Sequence, residues 1–366
     1  MTSVAEITQR ILQQCRDMGF ALAGVCDAQP TEHAEELRSW IDSGMHGEMG
    51  YLERHLELRL DPEKFVPGAK SVICVADRYA GETSKHQSVD TNKLDQAVGK
   101  IARYARGKDY HRVMRDRLGK LSLAFAKDFP DHRFRSCVDT APILEREYAQ
   151  RAGLGAIGKN TMLLERSVGS WLLLGEIVTT MPLAFSRPAD PDPCGSCTRC
   201  IDACPTHAIA REGWSLDATR CISYLTIEHR SLIDEEFHEA LGDWVFGCDI
   251  CQEVCPHNQP KSQNADLPTH PAYAPQRASF DLLEVLNWTE ADRAQAMVNS
   301  SMKRARLDMM KRNAIIAAGN AARQGIAAVV LLNRIKRIIA DESETAMVRT
   351  TAERVVARID RRSHLP

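Results

Sequence analysis

An α+β multidomain fold is predicted by three observations. Strand and helix signals alternate before residue 182, eight cysteines crowd into residues 194–255, and from Phe280 the chain reads as helix throughout. The expected divisions are an α/β front domain over 1–181, a cysteine-rich module over 182–260 and an all-α tail over 278–366 with HEAT-like repeats.

Within the front domain, Val4, Ile7, Ile11, Leu12, Cys15 and Met18 recur on one helical face, which predicts a helix over 3–18 ended by Gly19. Phe20–Cys26 reads as a buried strand and His33–Ser43 as a second helix. Ser71–Val75 is a further strand, the polar stretch 81–95 a loop, and 111–127 again has helical spacing. A short strand at Cys137–Val138, a helix over Pro142–Arg151 and a strand over Trp171–Thr180 complete the domain. Met181–Pro193, with four prolines, reads as a linker, and 261–277 as a polar connector. In the tail, Lys311–Asn320 echoes Val348–Ala357 with Arg312 and Arg349 lying 37 residues apart, close to the HEAT period.

The cysteines carry the sharpest signal. Cys194, Cys197, Cys200 and Cys204-Pro205 reproduce the C-x2-C-x2-C-x3-C-P spacing in which three thiolates hold one cubane and the fourth crosses to another. Cluster one then takes Cys194, Cys197, Cys200 and Cys255. Cluster two takes Cys204, Cys248 and Cys251; Val245 stands where a symmetric ferredoxin has its next cysteine, so Cys221 is the fourth ligand. Two 4Fe–4S clusters in a ferredoxin-like module follow, and with them one-electron chemistry. A zinc site closes with four ligands and does not use an interleaved pattern. Disulfides suit an oxidising compartment, whereas the opening MTSVAEITQRILQQC has no apolar signal segment, so a cytoplasmic protein is expected. Cys15, Cys26, Cys74 and Cys137 have no partner spacing and read as small buried hydrophobes.

No run reaches the ~18 apolar residues of a membrane span, so no membrane partner is expected, and a monomer is. The net charge of −2 is uneven: residues 303–362 hold 14 Lys+Arg against 6 Asp+Glu, a net of +8, leaving about −10 elsewhere. A basic module on an acidic body suits a polyanion. Its candidate contacts are Lys303, Arg304, Arg306, Lys311, Arg312, Arg323, Arg334, Lys336 and Arg337, the alternative being a merely solvated face. No aromatics interleave, so phosphate contacts are expected over base stacking.

Three front-domain segments concentrate reactive residue types: Arg103–His111, Cys137–Arg146 and Gly153–Asn160. Asp139 ends a short apolar strand. An apolar pocket would raise its pKa and suit it to general-acid work; the alternative is an N-cap, for which Thr140 is better placed. Asp109 and His111 form an Asp-Tyr-His triplet beside arginines, with Tyr104 in the same segment. Gly153, Gly155 and Gly158 match G-x-G-x-x-G, but after a helix rather than a strand, so close backbone approach to a bulky ligand is the better reading. Lys159 is an anion contact or a solvated side chain.

Together, Arg103–His111, Val138–Arg146, Ala152–Asn160 and the eight cysteines resemble the epoxyqueuosine reductases over nearly the whole chain. That resemblance implies a cobalamin-dependent iron–sulfur enzyme of tRNA modification, whose front domain and ferredoxin module are shared with reductive dehalogenases. It implies that Asp139 is the proton donor, that Asp109 and His111 line the substrate pocket, and that Gly153, Gly155, Gly158, Lys159 and Asn160 fall where cobalamin is held. Met114 stands where a D-x-H-x-x-G cobalamin signature needs glycine, so a histidine-ligated cobalt is not implied. The implied partners are a tRNA anticodon stem-loop carrying epoxyqueuosine and an external reductant such as a flavodoxin or ferredoxin. A reductive dehalogenase and a non-catalytic electron carrier with a docking tail are the rival readings.

Overall fold

The structure is a computed structural model that describes residues 3–80, 97–259 and 267–363; the expected loop at 81–95 lies outside the described residues. Nine strands are used below: β1 (Leu22–Asp27), β2 (Ser71–Arg78), β3 (Val98–Ile101), β4 (Phe134–Cys137), β5 (Ala156–Ile157), β6 (Leu163–Leu164), β7 (Leu172–Thr179), β8 (Trp244–Phe246) and β9 (Ser279–Asp281).

The front domain is built on a four-stranded sheet ordered β1-β2-β7-β4. Its pairs are all antiparallel, with Leu22 opposite Ala76, Ser71 opposite Thr179 and Cys137 opposite Glu176. Both faces are covered, which makes β2 buried along almost its whole length. Ile73, Val75 and Ile177 pack under the helices Val4–Asp17 and Tyr110–Asp128 through Ile11, Leu12, Met114, Leu118 and Phe125. Cys26, Val72, Cys74 and Val178 face the helix Glu145–Arg151 through Tyr148 and Ala149. The helix starts have local causes. Ser3 and Glu6 form a capping box at Val4, and the Asp109 carboxylate accepts the His111 N–H at 3.1 Å.

The helix expected from Pro142 begins only at Glu145. Thr140 does not cap it: its hydroxyl donates back to Val138 O at 3.3 Å. Asp139 has φ 46°, the left-handed region, so the chain leaves β4 in a tight turn before it can wind.

A second sheet, ordered β8-β3-β9, takes one strand from each of the front segment, the cysteine-rich module and the tail. Phe280, read as helical, is therefore in a strand. One apolar core joins Leu225, Val245 and Phe246 of the module to Phe280, Leu286, Ile315 and Val348 of the tail. The module is thus held by hydrophobic contact as well as by whatever its sulfurs bind. Helices Leu307–Arg323, Ala328–Ile339 and Ala346–Ser363 make up the end of the tail.

Two basic candidates are not on any surface. Arg312 is fully buried and donates to Leu225 O at 2.6 Å and His229 O at 2.8 Å, tying its helix to the module. Lys311 is buried and paired with Glu344. Both point from the inner face of the helix, where a polyanion cannot reach. Lys303, Arg304, Arg306, Lys336 and Arg337 are exposed. Arg334 is bound to Leu286 O and Asn287, and Arg323 pairs with Glu239.

Candidate active site

The left-handed turn at Asp139 aims its carboxylate at the start of the helix Tyr110–Asp128. There His111 bridges two acids: Nδ1 lies 2.8 Å from Asp109 Oδ1 and Nε2 lies 2.8 Å from Asp139 Oδ2. Tyr110 stacks on the imidazole with ring centroids 4.0 Å apart, and Tyr104 meets Tyr110 edge-on. Burial opposes the imidazolium, but the bonds to Asp109 and Asp139 outweigh it and hold His111 up at about 9. The bond from His111 keeps the Asp109 carboxyl below its ordinary value. Burial pushes Asp139 up, yet its bond to His111 wins and leaves it lowered. The raised pKa expected for Asp139 is therefore reversed: the proton of this pair rests on the histidine.

The raised carboxyl is its neighbour. Glu145 accepts the Asp139 backbone N–H, and burial together with the Asp139 charge pushes it to about 8. Behind it on β7, Glu176 is fully buried with neither carboxyl oxygen hydrogen-bonded among the described residues, and burial raises it well above the carboxylate range. Glu145 and Tyr110 lie inside segments singled out from the sequence, but nothing local distinguished them; their roles come from contact with Asp139 and His111.

Asp109, Tyr110, His111, Asp139 and Glu145 line a cleft of about 1080 Å³. The same cleft is also lined by Cys204, Cys221, Cys248 and Cys251, the quartet assigned to cluster two. Cys194, Cys197, Cys200 and Cys255 do not line it. The cluster-one quartet is also coherent by proximity. Burial and then the Cys194 thiol push Cys200 up to about 11, and Cys255 is raised by burial with Cys194 and Cys197 near it. Burial, then Cys221 and Cys200, push Cys251 to about 12, so the two quartets adjoin. Among the described residues no three His, Cys, Asp or Glu converge on a single-ion site. Eight soft thiols in two adjoining quartets suit two clusters, whose irons would displace the thiol protons.

The Gly153–Asn160 loop corrects the sequence reading. A Cβ on Gly153 would meet Arg187 O at 2.4 Å and one on Gly155 would meet Leu164 O at 2.6 Å, so both glycines serve the chain's own packing. Gly158 and Lys159 lie against Cys194, and Lys159 is buried. Of the five candidates only Asn160 lines the cleft. Tyr104, Asp109, His111 and Asp139 do line it, joined by Tyr51, Leu172, Leu174 and Phe246. Lys303 and Arg304 also reach it, with Arg112 and Arg115, two exposed arginines outside the basic tail and so not marked by its charge. Arg304 is paired with Glu228 at 2.6 Å.

Two families match. One, described as "4Fe-4S double cluster binding domain", spans residues 193–258 and takes in all eight cysteines. The other, "Epoxyqueuosine reductase QueG, DUF1730", spans 59–140 and takes in Tyr104, Asp109, His111 and Asp139. An epoxyqueuosine reductase of Vibrio cholerae is 40% identical over 318 residues, which is 86% of this chain and 84% of that protein. The chain belongs to the epoxyqueuosine reductase family. The Escherichia coli epoxyqueuosine reductase is 37% identical over 86% of this chain and 82% of its own length. A crystal structure of epoxyqueuosine reductase with a tRNA-Tyr epoxyqueuosine-modified tRNA stem loop superposes with a TM-score of 0.85 at 28% identity, covering 98% of this chain and 91% of that one. As a member of this family the chain is an oxidoreductase with a double 4Fe–4S module. Among the described residues no helix is long and apolar enough to cross a membrane.

Proposed function

We propose that this chain removes the epoxide oxygen of epoxyqueuosine at the wobble position of a tRNA anticodon, leaving queuosine. The observation that carries this reading is one cleft lined both by a proton-bearing His111–Asp139 pair and by Cys204, Cys221, Cys248 and Cys251. Converting an epoxide to an alkene and water consumes two electrons and two protons, and the cysteine quartet and the His111–Asp139 pair are suited to supplying them.

The cleft is roomy, lined by aromatic and aliphatic side chains over Tyr104, Tyr110, Leu172, Leu174 and Phe246, and fits a corrin-sized group. Cobalamin held there would supply a low-valent cobalt reductant for the epoxide carbon, fed singly by the clusters. Tyr104, Asn160 and Leu172–Leu174 would hold it. The side chains move the protons. Asp139, with 46% of its side chain open to the cleft, passes the His111 proton to the departing oxygen. Glu145 keeps a second proton beside it. A loop base is readily splayed from its stack into such a pocket. Lys303, Arg112 and Arg115 line the cleft and would take neighbouring phosphates, and Lys336 and Arg337, exposed on a helix we read as HEAT-like, would take more distant ones. A flavodoxin or ferredoxin would reduce cluster one, and the chain would act as a cytoplasmic monomer.

The test is reconstitution with iron, sulfide, cobalamin and a low-potential reductant, followed by nucleoside mass analysis of epoxyqueuosine-containing tRNA. Loss of one oxygen mass is expected. No change in the nucleoside, with eight irons and cobalamin bound, would overturn the reading.

A further inference from the structure

Lys159 is buried against the turn that carries the first cluster's leading cysteines. Its ammonium donates to Gly195 O at 2.7 Å and Cys197 O at 3.1 Å, and its backbone N–H points at Cys194 Sγ from 3.4 Å. Nothing in the deoxygenation requires a cation there, and the group does not line the cleft. The surroundings fix it in place. The Trp214 N–H donates to Lys159 O at 3.0 Å, its indole N–H donates to Ile157 O at 3.0 Å, and its ring faces the ammonium at 5.4 Å. Gly213 lies so close that a Cβ would come within 2.5 Å of Lys159 Cγ. Among the described residues Lys159 forms no ion pair: nearby Asp192 instead accepts the N–H groups of Cys194 and Gly195, each at 2.9 Å.

A buried cation and an N–H aimed at sulfur act on a cluster through its charge. Reduction adds one electron to an iron–sulfur core already surrounded by four thiolates. Fixed positive charge and sulfur hydrogen bonds stabilise the reduced form more than the oxidised one, so they raise the potential. Burial keeps water from screening the effect.

We propose that Lys159 is a positioning residue of the electron chain that raises the reduction potential of cluster one, and of that cluster alone. It thereby makes the cluster facing away from the cleft the easier one to load from outside. The inference rests on the double-cluster reading, and iron content separates the two. Native protein and Lys159→Met are reconstituted, assayed for eight irons, and titrated potentiometrically with the reduced clusters followed by electron paramagnetic resonance. In Lys159→Met one of the two midpoints is expected to move to more negative potential while the other stays. Lys159→Arg, which keeps the charge, is expected to stay near native. If Lys159→Met does not hold eight irons, Lys159→Gln, which keeps a donor but no charge, is titrated in its place. Native midpoints in the neutral variant, or equal movement of both, would overturn the proposal. So would loss of iron from both neutral variants, because the lysine would then serve assembly rather than potential. Native protein that itself falls short of eight irons would instead overturn the cluster reading beneath it.

Discussion

His111 decides what Asp139 can do. An isolated carboxyl in an apolar pocket would hold its own proton, but an imidazole 2.8 Å away takes the proton and leaves the acid ionised. Asp139→Asn is expected to retain both clusters and tRNA binding and to lose turnover by roughly 10²–10⁴-fold, the usual worth of a general acid, read in single-turnover assays. Unchanged turnover would remove Asp139 from the chemistry. The pH dependence has a defined sign. The His111 pKa stands at about 9 in the fold against an ordinary 6.5, so the stability it contributes is fully present below about 6.5 and is lost as pH rises through 9. Thermal melts across that window are expected to fall more steeply for the native protein than for His111→Gln, and the high-pH limb of kcat to follow the same group. Equal slopes in both proteins would count against the proton's resting on His111.

Elements set how these residues meet. The helix Leu307–Arg323 packs so closely on Ala346–Ser363 that a Cβ at Gly319 would come within 2.4 Å of Val355 Cγ1. Gly319→Leu is expected to force the two helices apart at a cost of about 1–3 kcal/mol, seen as a lower Tm with iron content unchanged. An unaltered Tm would show that the helices give way without cost. The same helix carries Arg312 into the module, where its guanidinium donates to backbone carbonyls. Arg312→Met is expected to lower stability by several kcal/mol and to hasten iron loss, because the carbonyls it served lose a charged donor. A variant of native stability that binds tRNA weakly would restore Arg312 to the binding face. Single strands of the central sheet were legible from apolar runs at Ser71–Val75 and Trp171–Thr180, but their antiparallel pairing was not. The helix start at Glu145 was not, since it depends on Asp139 adopting a left-handed backbone that no local pattern announces.

At the scale of the whole molecule, front domain, module and tail are joined by the β8-β3-β9 sheet and one shared core, so the cleft lies between parts that cannot separate freely. Charge at its rim comes from two parts: Arg112 and Arg115 from the front domain, Lys303 from the tail. Replacing Lys303, Lys336 or Arg337 by alanine is expected to weaken stem-loop binding and to reduce the slope of log K against log salt by roughly 0.7–0.9 for each phosphate no longer neutralised, measured by titration at several ionic strengths. Slopes that do not change would show that these exposed cations are merely solvated.

The cysteine spacing alone called for a double-cluster module, because the crossover pattern leaves few ways to close eight thiolates around two clusters. Local chemistry also marked out Asp139 in one segment and Asp109 and His111 in another as candidates. Only tertiary structure decided which groups hold protons, since that depends on distances between residues 28 apart in the chain. Only it separated Lys311 and Arg312 from the exposed cations and moved Lys159 from the cleft to the first cluster. Charge and burial are properties of a neighbourhood, and neighbours distant in sequence are brought together only by packing.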